Sequence, residues 1–232
     1  MGGFANNAPI VTDGLVFYVD AGNSNSYPGS GGTWTDLVGG NNGSFNNMDD
    51  INNPSNNYNS GNGGSLVFDG SNDFIDCTSL IIPSNISICA FVKFDSATGN
   101  MQIASADGSP RSWQFRIKGS DTNNPGEMII FNSAGQYVSA LTSSALTTDT
   151  WYHLSGTYDS TNIKMYLNGV LETTTAHGTG IQGSGSSGDF KIGCRANVTF
   201  FDGSIPFVQL YDRALSADEI LQNYNALKNR FV

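Results

Sequence analysis

The sequence feature that most constrains the fold is a pair of short segments whose polarity alternates, followed by a tight-turn dipeptide. The segments are residues 151–158 and residues 162–167, with three polar residues between them. Asn168-Gly169 follows the second segment and suits a type I′ turn, which needs two successive residues with positive φ. The pattern predicts an antiparallel hairpin, with Val170–Thr175 returning as a third strand.

The rest of the chain has the same β character. Short apolar runs alternate with clusters of glycine, asparagine and serine, and helical periodicity appears only near the C-terminus. Regularly spaced short strands are typical of a sandwich or jelly roll of two antiparallel sheets. Residues 41–62 are predicted to form a long irregular loop. The other predicted strands are Leu15–Asp20, Ser65–Phe68, Ile86–Phe94, Met101–Ser105, Trp113–Lys118, Glu127–Phe131, Phe190–Gly193 and Ser204–Tyr211.

The C-terminal residues follow a helical pattern. Ser216 and Glu219 fit a capping box, in which each side chain accepts a hydrogen bond from the backbone amide of the other residue. Apolar residues then recur at helical spacing on one face. We predict one helix, about Ala217–Asn229, packed on a single jelly-roll domain of residues 13–232. Residues 1–12 are predicted to form a flexible N-terminal arm.

Charge, hydropathy and cysteine content limit the partners and the cellular location that the sequence predicts. The net charge is −10 and the ten Lys and Arg residues are scattered, so the sequence predicts no binding to nucleic acid or to an anionic membrane. No apolar run approaches the ~20 residues that span a bilayer. Three cysteines without C-x-x-C spacing are predicted to be buried free thiols. Because the N-terminus lacks the basic start and apolar run of a secretory signal, we expect synthesis in the cytoplasm.

Five segments carry a family resemblance through their order and spacing: Gly14–Asp20, Trp34–Leu37 with Gly43 after it, Ser65–Ile75, Trp151–Gly169, and Phe201–Ile205 with Tyr211–Ile220. Together they resemble the laminin G-like, concanavalin A-like jelly-roll family over nearly the whole chain. The resemblance implies two curved antiparallel sheets, with ligand sites on rim loops or on the concave face. It implies no activity, because this fold carries lectins, adhesion modules, glycanases and structural domains.

An enzymatic role has little support in the residues. Glycoside hydrolysis of the usual kind needs two carboxyl groups about 5–10 Å apart. The three glutamates, Glu127, Glu172 and Glu219, each lack an acidic residue two positions away. His153 suits a hydrogen-bonded histidine within a strand, and the sequence has no nucleophile elbow for a catalytic triad. We expect no catalytic residues, and a glycan-active enzyme is the second alternative.

Calcium is the one candidate cofactor. The segment from Asp69 to Asp73 is rich in oxygen ligands and matches an Asp-Gly turn of the resembled family. Calcium takes six to eight oxygen ligands from flexible loops, so Asp69 and Asp73 are candidate metal ligands. The alternative is a simple turn in which these carboxylates accept hydrogen bonds from local amides.

Carbohydrate binding needs an aromatic face for sugar C–H groups and planar polar side chains for hydroxyl groups. Four aromatic residues with polar neighbours are candidates for ligand binding: Trp34, Tyr58, Trp113 and Tyr137. The two tryptophans have a second interpretation as core residues, which is the commoner position of a lone tryptophan.

Taken together, the sequence predicts a non-catalytic structural protein of a virion. A laminin G-like domain with reduced cysteines and a surface rich in Asn, Gly, Ser and Thr resembles bacteriophage capsid decoration or fibre proteins. Its expected partners are other virion subunits, bound through the N-terminal arm, with surface glycans and further copies of the chain as additional candidates. The alternative is a lectin-like module of a cell-surface or secreted assembly, which would place it on the extracellular surface.

Overall fold

The computed structural model describes residues 8–48 and 57–231, which form an antiparallel β-sandwich. Two eight-stranded sheets and one two-stranded sheet contain the described strands, and one helix follows them. The predicted all-β sandwich with a C-terminal helix is confirmed. The strands are β1 (Leu15–Asp20), β2 (Thr33–Trp34), β3 (Gly43–Asn46), β4 (Tyr58–Asn59), β5 (Ser65–Asp69), β6 (Phe74–Ile81), β7 (Ile86–Phe94), β8 (Gly99–Asp107), β9 (Arg111–Gly119), β10 (Gly126–Phe131), β11 (Tyr137–Leu141), β12 (Tyr152–Tyr158), β13 (Asn162–Leu167), β14 (Val170–Ala176), β15 (Ser187–Ile192), β16 (Cys194–Arg195), β17 (Thr199–Phe200) and β18 (Asp202–Tyr211).

The core lies between the two large sheets. Sheet A has the order β14-β13-β12-β7-β18-β5-β4, with β1 also paired to β18, and sheet B has the order β11-β10-β9-β8-β15-β6-β3-β2. Every second residue of a strand faces the opposite sheet. In β9 these residues are Trp113, Phe115 and Ile117, all of which lie in the core. The small β16–β17 sheet lies next to β8, where the Ser105 hydroxyl donates to the Cys194 carbonyl at 2.9 Å.

The predicted hairpin is confirmed. Strands β12 and β13 pair from Leu154 opposite Leu167 to Tyr158 opposite Ile163. Asn168 and Gly169 both have positive φ, 51° and 82° respectively, as a type I′ turn requires. The third strand, β14, pairs with β13 as expected. Local turn chemistry therefore predicts the pairing of β12, β13 and β14 correctly.

A helix covers the outer face of sheet A. Helix α1 (Ala217–Leu227) begins at the predicted Ser216/Glu219 capping box, and a 3-10 turn (Lys228–Arg230) follows it. Strand β7, which lies below it, is buried on both faces rather than on one, because α1 closes a second apolar cluster around Cys89. No helix of the described residues has the length and hydropathy that a membrane crossing requires.

The three cysteines are buried free thiols, as predicted. Burial raises the pKa of Cys89 to about 11 and the pKa of Cys194 to about 12, because a buried thiolate loses its hydration. These cysteines therefore serve as packing groups rather than as nucleophiles at neutral pH.

The end of the predicted flexible arm is fixed to the domain. Residues 1–7 lie outside the described residues, but Val11 is buried. The Val11 amide donates to Asn223 Oδ1 at 2.8 Å, and its carbonyl accepts from the Tyr211 hydroxyl at 3.0 Å. Asn223 Nδ2 donates to the same hydroxyl at 3.0 Å. The boundary of the domain therefore lies before Val11, not at residue 13.

We expect the Asn223→Ala substitution to lower the free energy of unfolding by about 1–3 kcal/mol, because it leaves the buried Val11 amide without an acceptor. Denaturation by urea measures this loss, and hydrogen exchange at the Val11 amide should accelerate. Gln222→Ala is the matched control, since Gln222 donates to the Pro9 carbonyl from the helix surface. An unchanged unfolding free energy for Asn223→Ala would contradict the role of this network.

The predicted irregular loop of residues 41–62 contains strands. Strand β3 pairs with β6 and β4 pairs with β5, while residues 49–56 lie outside the described residues. Phe45 is the one bulky apolar residue of β3, so the strand lacks the alternation that sequence patterns detect. The pattern also missed β2, β6, β11, β16 and β17. Pairing with neighbouring strands, rather than local propensity, determines these segments.

Candidate functional site

Two of the four aromatic residues predicted to bind a ligand lie in the core. Trp34 is 0% exposed and Trp113 is 1% exposed. The Trp113 and Phe190 ring centroids lie 5.7 Å apart. A sugar in solvent cannot stack on either tryptophan ring, so the assignment of Trp34 and Trp113 to a ligand site is wrong. Their second interpretation, as core residues, is correct.

The other two aromatic candidates occupy different environments. Tyr58 is half-buried, and its ring centroid lies 5.4 Å from that of Tyr27. Tyr137 is 62% exposed at the start of β11, with its ring centroid 5.7 Å from that of Phe131. Of the four candidates, Tyr137 offers an open aromatic surface. Its role in ligand binding stays a prediction.

The carboxylates of Asp69 and Asp73 accept hydrogen bonds that stabilise a turn. Asp69 Oδ1 accepts from the amides of Ser71 at 2.8 Å and Asn72 at 3.2 Å, and Asp73 Oδ2 accepts from the Asp69 amide at 3.1 Å. Partial burial raises the pKa of Asp69, but the amide hydrogen bonds outweigh it and the net pKa is lowered. Among the described residues, no group of three or more His, Cys, Asp or Glu side chains is placed to hold a metal. These contacts fit the turn interpretation, and calcium stays a prediction.

The described residues form clefts that differ in size and charge. One of about 390 Å³ lies beside this turn and has Asp69 and Asp202 in its lining, so it presents negative charge. Another, of about 550 Å³, has aliphatic residues such as Leu80 and Ile82 in its lining together with polar ones such as Asn41, and we call it the aliphatic cleft.

A third cleft, of about 190 Å³, lies on the outer face of sheet B, and we call it the arginine cleft. Strand alternation explains its position. Phe115 of β9 and Met128 of β10 face the core, so the residues beside them in each strand face outward. Strand pairing places Gln114 opposite Ile129 and Phe131 opposite Tyr137. The cleft is lined by Arg111, Gln114, Arg116, Ile129, Phe131, Tyr137 and Arg195.

The β16–β17 hairpin brings Arg195 into this cleft from a distant part of the sequence. Ala196 and Asn197, in the turn of the hairpin, have positive φ of 47° and 56°. A left-handed conformation is uncommon for alanine and is maintained by the surrounding structure. The tight turn keeps Arg195 on the sheet face, where its Nε contacts the Asp107 carboxylate.

Two buried carboxylates hold the three arginines. The Asp107 side chain is 0% exposed and contacts both Arg195 and Arg111, the latter with a distance of 2.8 Å from Nε to Oδ1. Glu127 accepts from Arg116 Nε at 2.7 Å. A buried carboxylate is strongly unfavourable without a charged partner, so each acid is stable here because of its arginine. The carboxylates are buried below the guanidinium groups, and the arginines face the cleft.

One arginine is also fixed by an aromatic ring. The Arg111 guanidinium carbon lies 5.1 Å from the centroid of Phe131, a distance typical of cation–π contact. Phe131 in turn packs against Tyr137. The cleft therefore has one exposed ring, one buried ring and several donor groups, carried by strands of sheet B and by the β16–β17 hairpin.

The three glutamates and His153 all take part in contacts within the fold. Glu127 pairs with an arginine, Glu172 accepts hydrogen bonds from two serines, and Glu219 caps α1. His153 is 0% exposed and is packed among aromatic rings. Neither of its ring nitrogens has a hydrogen-bond partner in the part of the chain that the structure describes. The prediction of a hydrogen-bonded histidine is therefore wrong for the ring, although His153 does lie within a strand.

Sequence reasoning missed the arginines of the cleft. Two residues of the cleft could have been found from the alternation of residues 113–118, because this pattern places Gln114 and Arg116 on the face opposite Trp113. Arg195 had no comparable signal. It is separated from Asp107 by 88 positions, and only the folded sheet brings the two together.

Comparison with known families agrees with this architecture. A laminin G-type family model, described as the concanavalin A-like lectin/glucanases superfamily, matches residues 60–221, more than half of the chain. The chain belongs to this superfamily. No curated protein sequence matches this concanavalin A-like domain.

Several solved structures share the concanavalin A-like fold at low identity. Domain 4 of AbnA, a GH43 extracellular arabinanase from Geobacillus stearothermophilus solved with arabinotriose, is 18% identical with a TM-score of 0.69, covering 90% of this chain and 98% of that domain. The ligand-binding domain of botulinum neurotoxin serotype D, solved with N-acetylneuraminic acid, is 17% identical with a TM-score of 0.64, covering 91% and 50%. A SAP-like pentraxin from Limulus polyphemus is 15% identical with a TM-score of 0.55, covering 67% and 78%. At these identities the similarity shows the fold.

Proposed function

We propose that this concanavalin A-like domain is a non-catalytic carbohydrate-binding module that holds a glycan in the arginine cleft. The observation that carries the proposal is the position of Tyr137, an exposed ring at the edge of a cleft whose other side chains are mainly hydrogen-bond donors. Ligand sites combine apolar or aromatic walls with a few polar groups that fix orientation. A sugar ring has the matching chemistry, since its C–H face packs on an aromatic ring and its hydroxyl groups accept hydrogen bonds.

Two structural relatives support a carbohydrate ligand. The arabinanase domain was solved with arabinotriose and the neurotoxin domain with N-acetylneuraminic acid. These ligands belong to those proteins, and the low identity leaves the residues of this chain to define its own ligand. The arginine cleft is small and shallow, which suits one sugar ring with the remaining glycan outside it.

A binding role agrees better with the cleft than catalysis does. Its two carboxylates, Asp107 and Glu127, are buried and contact arginines. A glycosidase needs one carboxyl group to donate a proton to the glycosidic oxygen, and a second to attack the sugar or activate water. Here the guanidinium groups lie between the carboxylates and a ligand.

We expect Tyr137→Ala to weaken glycan binding roughly tenfold or more, because it removes the exposed aromatic surface of the cleft and tyrosine is among the residues that contribute most to binding energy. A glycan array identifies a ligand for the purified chain, and calorimetry then compares the variants. Ile81→Ala is the matched control, since Ile81 is 61% exposed, close to the 62% of Tyr137, and lines the aliphatic cleft instead.

The outcomes of this test differ clearly. Loss of affinity in Tyr137→Ala with full affinity in Ile81→Ala supports the arginine cleft. The reverse result assigns the glycan to the aliphatic cleft and overturns the proposal. Release of shortened products from the bound glycan would contradict the non-catalytic role.

Incorporation into a virion through the N-terminal arm stays a prediction, as does an extracellular surface location. Residues 1–7, which form most of that arm, lie outside the described residues. Glycan binding is compatible with both locations.

A further inference from the structure

We infer that the sugar bound in the arginine cleft is anionic, with a carboxylate or sulfate group that pairs with the arginines. This inference rests on the proposed function, and it specifies the class of glycan. The arginine cleft concentrates positive charge on a chain whose net charge is −10. Three of the five arginines of the sequence line this one small cleft. Its arginines exceed the two carboxylates that hold them, Asp107 and Glu127, so one positive charge remains.

The three arginines are held in a way that leaves their outer nitrogens available. Arg111, Arg116 and Arg195 each contact a carboxylate through Nε. In the part of the chain that the structure describes, none of their Nη atoms forms a hydrogen bond. Nη atoms are the donors that bind a carboxylate or phosphate in the two-bond geometry typical of arginine.

The remaining two arginines show the contrast. Arg213 donates from both Nη atoms to Glu219 at 3.0 Å and 2.6 Å. Arg230 donates from both Nη atoms to Asp20 at 2.9 Å. These two arginines have used their paired donors within the protein. The arginines of the cleft have not, which is the arrangement expected for a site that receives an external anion.

Contacts within the protein also restrict the guanidinium groups before a ligand binds. Asp107 is fully buried and contacts two of them, while Phe131 lies against the Arg111 guanidinium. A donor whose orientation is already fixed loses less conformational entropy when it binds. The neutral and exposed ring of Tyr137 remains for the C–H face of the sugar.

The test uses two pairs of probes on the full chain. One pair is an oligosaccharide of uronic acid and its carboxyl-reduced neutral counterpart, and the other is a sulfated oligosaccharide and its desulfated counterpart. We expect at least one charged probe to bind roughly tenfold or more tightly than its neutral counterpart, because hydrogen bonds to charged groups are among the strongest in proteins. The affinity for the charged probe should fall as salt rises. The two pairs distinguish a carboxylate from a sulfate.

Variants then locate the preference. Arg111→Gln and Arg195→Gln should each reduce the preference for the charged probe several-fold, because each removes a cation that pairs with the anionic group. Affinity for the neutral probe should fall less, since glutamine still offers an uncharged hydrogen-bond donor. Lys164→Gln is the matched control, because it removes one positive charge from β13, outside the cleft. Circular dichroism verifies that each variant is folded. Arg111 lies on β9 and Arg195 lies on β16. If one of the two variants fails to fold, the other still tests the inference.

The possible failures are distinguishable. If neutral and charged probes bind equally and Tyr137→Ala weakens both, the anionic ligand is overturned while glycan binding stands. If Lys164→Gln reduces the preference as much as the cleft variants do, net charge rather than the cleft explains it, and the inference is overturned. If no charged or neutral glycan binds, the proposed function and this inference both fail.

Discussion

Replacing Trp113 with alanine should lower the free energy of unfolding by about 3–5 kcal/mol, as expected for a large aromatic side chain removed from a packed core. Trp113 is 1% exposed and its ring packs against Phe190 between the two sheets. The loss has two parts, the burial energy of the missing ring and the cavity that remains. Urea denaturation at neutral pH measures it directly.

Tyr137→Ala is the informative comparison for Trp113→Ala. Because Tyr137 is 62% exposed, its removal should change the unfolding free energy by about 0.5 kcal/mol or less while it weakens glycan binding. Folded Trp113→Ala protein should keep its ligand affinity. If Trp113→Ala instead unfolds like the wild type but loses glycan affinity, Trp113 acts at a binding site and the core assignment is wrong.

The contrast between these residues shows what the sequence could provide. Local patterns determined the β12–β13 hairpin and the capping box of α1, because turn and cap residues act on the backbone next to them. Alternation along β9 places Trp113 on one face with Phe115 and Ile117, and in the folded protein this face packs in the core. The sequence does not reveal which face of a strand meets solvent when both faces carry large side chains.

The candidate site depends more on tertiary structure. Arg116 and Glu127 come together through the β9–β10 pairing, and Arg195 reaches Asp107 through the β16–β17 hairpin. Neither contact follows from local spacing. The arginines looked scattered in the sequence because the folded sheet, not the order of residues, brings them together. The prediction that basic residues are dispersed is therefore correct along the chain but not on the surface.

The environment of His153 also results from tertiary structure. The sequence allowed a hydrogen-bonded histidine within a strand, but α1 and the turn that follows it cover the outer face of β12, where His153 lies. His153 lies against Phe91, Phe207 and Tyr224, with ring centroid distances of 5.1, 6.5 and 5.7 Å. Burial lowers the pKa of His153 to about 3, because this aromatic pocket cannot hydrate the imidazolium ion.

This pKa predicts a specific loss of stability in mild acid. His153 has a pKa of about 3 in the folded state, against the ordinary value of 6.5 expected when the chain unfolds. Between these values the unfolded chain binds the proton and the folded chain does not, so stability falls as pH falls. The slope is about 1.4 kcal/mol per pH unit for one proton, so we expect a loss of about 2–3 kcal/mol between pH 6.5 and 4.5. Urea denaturation across this range measures it.

The choice of pH range separates His153 from the carboxylates. Hydrogen bonds lower the pKa of Asp159 and Glu172, and hydrogen bonding to Arg213 lowers the pKa of Glu219 to about 2. Such groups also destabilise the fold in acid, but mainly below about pH 4.5, because their ordinary pKa values lie near 4.

His153→Met should abolish most of the pH dependence between pH 6.5 and 4.5, since methionine fills an apolar pocket of irregular shape and does not titrate. His177→Gln is the control, because it removes the other histidine and should keep the slope. A His153→Met variant that retains the wild-type slope would show that another group takes up the proton on unfolding. The slope itself, rather than the absolute stability of the variant, decides the question, because any packing defect of methionine shifts the unfolding free energy equally at every pH.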